Sequence, residues 1–321
     1  MKLPNKSDIE SAASTVYQYM SSTPLYDWPL LRKRCGLNVF VKHENHTPTG
    51  AFKIRGGLTY MSWLRNRHPM SKGVIAATTG NHGQSVALAA SKNNLSSVII
   101  VPENNSNIKN KSMISFGAEL ITYGHDFQAA YEYALNTAEE RNLSIVPSFS
   151  EYLISGVSTY GLEIFKAQPD LDSLYVPIGL GSGICGCIAA REALGLKTKI
   201  IGVVSENAAC YAHSFNQKKP ISTNSAKTIA DGLACRVPDV DAVRIINKYV
   251  DQIVQVSENE IKAAMRYYFT DTHNIAEGAG AAPLAALIKE RGKYQNKNVA
   301  VVLTGGNLDL KLYSEVLKNQ S

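Results

Sequence analysis

A chain of 321 residues with 45% hydrophobic and 19% charged residues can bury a substantial core, and chains of this size usually divide it between two domains. The net charge of +6 comes from 33 basic and 27 acidic residues interspersed along the chain, a balance suited to small anionic ligands. It argues against nucleic acid, because the densest basic run, Arg32-Lys33-Arg34, reads as a solvated helix face. The five cysteines (Cys35, Cys185, Cys187, Cys210, Cys235) form no C-x-x-C pair, no signal-type apolar core opens the chain, and no window approaches the ~18 apolar residues that cross a membrane. A cytoplasmic protein with neither disulfide framework, zinc site nor membrane partner is expected.

In chain order, Ser7-Asp8-Ile9-Glu10 has capping-box spacing and precedes Ala12, Ala13, Val16 and Met20, which predicts a first helix. Val39 to Lys42 is strand-like. Further β-branched runs follow at Gly73 to Thr79, Val98 to Val101, Leu120 to Tyr123, Leu174 to Ile178, Ile200 to Val204 and Val299 to Leu303, with helix-period stretches between most of them. These runs are nearly continuous rather than alternating, so each strand is expected to be covered on both faces: an α/β protein with parallel-rich sheets and helices on either side. The spacing suggests a small unit over 73–150 set within a larger one, 1–72 and 151–321. Asn216 to Lys227 reads as a surface loop, and Leu308 to Asn319 as a last helix with no regulatory domain after it.

Four stretches carry chemistry. Thr49-Gly50-Ala51-Phe52-Lys53-Ile54-Arg55-Gly56-Gly57 follows a strand and enters a helical run. A lysine there is ordinarily a snorkelling surface residue, but one enclosed at a helix start has a lowered pKa and an amine available for imine chemistry. Thr78-Thr79-Gly80-Asn81-His82-Gly83-Gln84 opens an alanine-rich helix and is either an ordinary N-cap or a carboxylate site. Gly179-Leu180-Gly181-Ser182-Gly183-Ile184-Cys185-Gly186, between a strand and a helix, reads first as a phosphate cradle. It also satisfies G-x-G-x-x-G, with Glu206 placed like a ribose-binding acid, so a dinucleotide site is its rival. Thr304-Gly305-Gly306-Asn307 ends a strand, where Gly-Gly is commonly only a turn.

Taken in order, these stretches resemble the fold type II pyridoxal phosphate enzymes (tryptophan synthase β-like), specifically the threonine/serine dehydratase and serine racemase group. The Lys53 stretch is similar to S-F-K-x-R-G, the Asn81 stretch to S-x-G-N-H, and Thr304 to Asn307 to S-G-G-N. Thr228-Ile229-Ala230-Asp231-Gly232 and Glu277-Gly278-Ala279-Gly280-Ala281 are similar to T-I-A-D-G and E-P-A-G-A. The resemblance implies that pyridoxal 5'-phosphate is held as a Schiff base on Lys53, which later removes the substrate Cα proton. It implies that Phe52 packs near the ring and Asn81 bonds the ring hydroxyl. Gly179, Gly181, Ser182 and Gly183 hold the phosphate, Thr304 faces the pyridine nitrogen, and Thr78, Thr79, Gly80 and His82 receive the substrate carboxylate. The implied reaction converts a small hydroxy-amino acid such as L-threonine or L-serine to a 2-oxo acid and ammonia, in a homodimer.

The chain departs from that pattern at several positions. Thr79 stands where serine racemases carry a second catalytic serine, so racemisation is an alternative activity with Thr79 as its acid/base. The acid expected six residues after Glu206 is Ala212, against a metal site. E-G-A-G and Gly179-Leu180-Gly181-Ser182 are similar to a branch with hydroxyectoine-degradation dehydratases. Outside this class stand a NAD-dependent oxidoreductase and a non-catalytic amino-acid sensor.

Overall fold

The computed structural model describes residues 1–293 and 297–318. Among these described residues ten strands form two sheets. They are β1 (Leu25–Asp27), β2 (Asn38–His43), β3 (Gly73–Ala77), β4 (Ser96–Val101), β5 (Glu119–Thr122), β6 (Ser144–Ile145), β7 (Ser173–Pro177), β8 (Lys199–Ser205), β9 (Gln252–Val256) and β10 (Asn298–Leu303). The helices are α1 (Lys6–Val16), α2 (Pro29–Cys35), α3 (Lys53–Arg67), α4 (Asn81–Lys92), α5 (Asn107–Ser115), α6 (Phe127–Arg141), α7 (Glu151–Ala167), α8 (Ser182–Ala193), α9 (Cys210–Gln217), α10 (Val240–Tyr249), α11 (Glu258–Thr272), α12 (Gly278–Glu290) and α13 (Leu310–Lys318).

The six-stranded sheet runs β1-β2-β10-β7-β8-β9, parallel except for β1, which pairs antiparallel with β2. The four-stranded sheet runs β5-β4-β3-β6 and is wholly parallel. Successive residues of a strand point to opposite faces, and here both faces are covered. Leu174, Val176, Ala300 and Val302 enter a core built with α7, α8 and α10, whereas Tyr175, Val299, Val301 and Leu303 enter one built with α11 and α12. The smaller sheet repeats the arrangement. Val74, Ala76, Ile99 and Val101 pack with α3 and α4, while Ile75, Ala77, Val98 and Ile100 pack with α6. Each large apolar side chain so covered contributes about 1.5–3 kcal/mol.

Boundaries differ in places. The α1 capping box is made by Asn5 and Asp8, not by Ser7 and Glu10: Asn5 Oδ1 accepts from Asp8 N at 3.1 Å and Asp8 Oδ2 from Asn5 N at 2.9 Å. Starting earlier, the helix ends at Val16, and Met20 packs from the segment beyond it. The β3 run stops at Ala77, leaving Thr78 and Thr79 in the following turn. Asn216 and Gln217 close α9 rather than belonging to the loop after it. The final helix is Leu310–Lys318, and Asn319 lies outside the described residues. Among the described residues no helix is long and apolar enough to cross a membrane, and all five cysteines are free and buried.

Candidate active site

Strand C-termini in open parallel sheets leave a crevice where loops of several units meet. The turns after β3, β7 and β10 carry three of the four stretches. The fourth, Thr49 to Gly57, is fastened to the turn after β10: Ala51 forms an antiparallel bridge with Gly305, Phe52 N donates to Thr304 O at 3.0 Å, and Gly306 N to Gly50 O at 3.0 Å. Lys53 is therefore the first residue of a helix whose entry is stitched to the six-stranded sheet.

The Lys53 amine donates to Ser182 Oγ at 3.0 Å, joining the first stretch to the glycine loop. Burial alone pushes it down to about 8 from the ordinary 10.5, because a charge withdrawn from water without a counter-charge is disfavoured. The lysine carbonyl accepts from Ser85 Oγ at 2.7 Å, so α4 also holds its backbone. Phe52 meets Tyr160 edge-on, with ring centroids 5.9 Å apart, and the Tyr160 hydroxyl donates to Gly183 O at 2.9 Å.

The glycine loop needs its glycines for two different reasons. Gly181 caps α8 at φ +99°, a conformation costly for any side chain. A Cβ at Gly179 would stand 2.2 Å from Gly232 O, so the loop lies against the Asp231-Gly232 turn. Its backbone is held from behind: Tyr211 Oη donates to Leu180 O at 2.9 Å. Ser182 opens α8, where backbone N–H groups and the helix dipole favour an anion.

The Asn81 stretch joins through its amide. Asn81 opens α4, its Nδ2 donates to Glu277 Oε1 at 2.7 Å, and its Oδ1 accepts from Asn307 Nδ2 at 2.9 Å. Gly80 N donates to Thr78 Oγ1 at 3.1 Å, which shapes the loop before the helix. Thr78 is buried and Thr79 exposed. His82 is buried with Nε2 unpartnered among the described residues, and burial, then the Lys53 charge, holds it down near 3, so its ring is neutral.

All four stretches are thus linked by direct hydrogen bonds, with Thr304 buried beside Phe52. Glu206, the ribose-acid candidate, lies elsewhere, half-exposed and 3.7 Å from Lys289 Nζ. Lys109 and Tyr160 stand in the site without a local signal to announce them, whereas Glu277 and Asn307 come from stretches with one. Lys109, on α5, ion-pairs with Asp231, and its Nζ lies 3.3 Å from where a Gly80 Cβ would sit. Glu277 and Asn307 contact Asn81, and Tyr160 contacts the glycine loop.

The sequence profile of the family described as pyridoxal-phosphate dependent enzyme matches residues 16–305. The chain is 35% identical over 311 residues to the L-threonine ammonia-lyase of Geobacter sulfurreducens, covering 97% of this chain and 77% of that one. It is 34% identical over 300 residues to the biosynthetic L-threonine dehydratase of Pasteurella multocida, covering 92% of this chain and 58% of that protein's length. Among solved structures, maize serine racemase matches with TM-score 0.91 and 28% identity, over 99% of this chain and 98% of that one. The residues present fit the cofactor in the family's description: a desolvated amine at Lys53, a glycine cradle at the α8 N-terminus and an amide at Asn81.

Proposed function

The chain belongs to the pyridoxal-phosphate dependent enzymes, and we propose that within them it is an ammonia-lyase, a dehydratase that converts L-threonine or L-serine to the 2-oxo acid and ammonia. The observation that carries this reading is the Lys53 amine, desolvated and bonded to a neutral hydroxyl, in a network of hydrogen bonds that joins all four stretches. Similarity to the L-threonine ammonia-lyase of Geobacter sulfurreducens supports the substrate class.

In this reading pyridoxal phosphate supplies the electron sink that stabilises negative charge at the substrate Cα. Lys53 would hold it through the free amine and would take the Cα proton, a role for which an amine titrating near 8 is suited. Ser182 Oγ orients that amine and, with Gly179, Gly181 and Gly183, would hold the phosphate. Asn81 would hold the ring hydroxyl. Phe52 would pack near the ring, and Thr304 would face the pyridine nitrogen with a hydroxyl rather than an acid, a partner that would leave little positive charge on that nitrogen. The substrate carboxylate sits at the α4 start among Thr78, Thr79, Gly80 and His82, whose neutral ring adds no charge of its own.

A second reading is racemisation. Thr79 offers an exposed hydroxyl on the same loop as a second acid/base, and the likeness to maize serine racemase favours it. We place the small domain at 73–150 and the large one at 1–72 and 151–321, although α3 shares the core of the four-stranded sheet. A homodimer working in the cytoplasm completes the proposal.

The test is turnover by the purified protein supplied with pyridoxal phosphate. Ammonia and 2-oxo acid should form from L-threonine or L-serine, and borohydride should fix the cofactor on the Lys53 peptide. Neither product nor label would overturn it; D-amino acid without 2-oxo acid would put racemisation first.

A further inference from the structure

Glu277 is 2% exposed, and its Oε2 has no hydrogen-bonding partner among the described residues. Its Oε1 accepts from Asn81 Nδ2 at 2.7 Å. That contact belongs to a chain whose donors and acceptors can be assigned from one end. Thr49 O is a backbone carbonyl and can only accept, so the Asn307 atom 2.7 Å from it is the amide nitrogen. The same nitrogen, a donor only, lies 2.9 Å from Asn81, which must present its oxygen there. Asn81 Nδ2 then faces Glu277. An amide nitrogen carries two hydrogens; one is taken by Glu277, and the other is left over at the start of α4.

We propose that Glu277 is a positioning residue of the cofactor site: it takes one hydrogen of the Asn81 amide, presents the other to the ring hydroxyl oxygen of pyridoxal phosphate, and so sets how firmly the ionised ring hydroxyl is held. The inference rests on the pyridoxal phosphate reading of the site. Three further groups face the carboxyl: Asp231 from the turn against the glycine loop, Lys109 from α5, and the backbone N–H of Asn307 after β10. Burial first, and then the like charge of Asp231, push Glu277 up to about 8, against the opposing pull of Lys109, Asn81 and Asn307. At neutral pH it is therefore mostly the uncharged acid, which orients Asn81 without setting a second negative charge beside an ionised ring hydroxyl.

The experiment is a pH titration of the visible absorbance of the lysine-bound cofactor, with cofactor affinity measured alongside, for the holoenzyme and for Glu277→Gln, Glu277→Leu, Asn81→Ala and the Leu/Ala double variant. Glu277→Gln keeps the acceptor but cannot ionise, so it should track the wild type below pH 8 and part from it above, where the native acid ionises. Glu277→Leu should weaken cofactor binding about tenfold and raise the absorbance midpoint, and it should add little to Asn81→Ala because the two act through one contact. A Gln variant that follows the wild type through the whole alkaline range overturns the proposal, as does full additivity in the double variant. A wild-type protein with no visible band overturns the pyridoxal phosphate reading itself, which separates the two failures.

Discussion

Lys42, on β2, and Lys53, at the start of α3, are both withdrawn from water, and burial pushes both amines below the ordinary lysine range. Their surroundings differ. Lys42 donates to Thr23 O at 2.7 Å and pairs with Glu163, in a cluster where Arg55 reaches Glu44 at 2.7 Å and Glu163 at 2.6 Å. Two cations and two carboxylates close that cluster at zero net charge. Burial pushes Arg55 down, but the two carboxylates outweigh it and hold the guanidinium above its ordinary value. Glu163 is pushed up by burial and brought below its ordinary value by Arg55 and Lys42. Lys53 has a neutral hydroxyl as its partner, and among the described residues no carboxylate pairs with it. A buried charge that is compensated belongs to stability, and one left uncompensated in a crevice is poised for chemistry.

Exchanging single residues breaks this contrast from both sides. Lys53→Ala should lower turnover by about a thousandfold or more and abolish cofactor attachment, while the urea midpoint stays the same or rises, because a desolvated amine is removed. Arg55→Met should do the reverse: it leaves the Glu44 carboxylate without a cation and Glu163 with Lys42 alone, and should cost about 3–5 kcal/mol in urea unfolding. Residual turnover per folded molecule, measured below the unfolding range, should stay within a few-fold of the wild type. Loss of turnover with unchanged stability in Arg55→Met would erase the distinction. The cluster should also govern acid unfolding. Glu163 has a folded pKa below its ordinary 4.5, so its contribution is present above 4.5 and is lost as pH falls through the folded value; acid unfolding of Arg55→Met should lose that component.

A smaller effect is expected in the glycine loop. Gly179→Ala places a methyl 2.2 Å from Gly232 O, so the loop must shift against the Asp231 turn. Cofactor affinity should fall about tenfold to a hundredfold, read by fluorescence titration, with stability changed by about 1–3 kcal/mol. Unchanged affinity would mean that the loop does not hold the phosphate.

How much of this was legible in the sequence follows from the range over which each requirement acts. Lys53, Asn81, Gly181 and Thr304 stand in turns or at the helix starts that follow them, where backbone demands leave short local patterns, and the buried parallel strands leave continuous apolar runs. Glu277 meets Asn81 across 196 positions and Lys109 meets Asp231 across 122, so no local pattern pairs them. The α1 cap, expected at Ser7 and found at Asn5, was missed for a different reason. Asn5 with Asp8 and Ser7 with Glu10 both have capping-box spacing, and the choice between them lies in where Ile9, Ala12 and Val16 meet the core. Strand β6 has two residues, too few to show a period at all.

The smallest effect sharpens the comparison of the two lysines through pH alone. Attachment of pyridoxal phosphate requires the free amine. Because the Lys53 value is lowered, the free form is present above about 8 rather than only above 10.5, so the attachment rate of the apoprotein should rise with pH to a midpoint near 8. The maximal rate is set by the amine itself and should not change with salt, since no surface charge pair is involved. Lys42 is lowered in the same direction, but it is 1% exposed and already paired with Glu163, so borohydride should leave its peptide unlabelled at every pH at which the fold persists. A midpoint near the ordinary lysine value would show Lys53 to be solvated in solution, and the two lysines would then differ in exposure rather than in compensation.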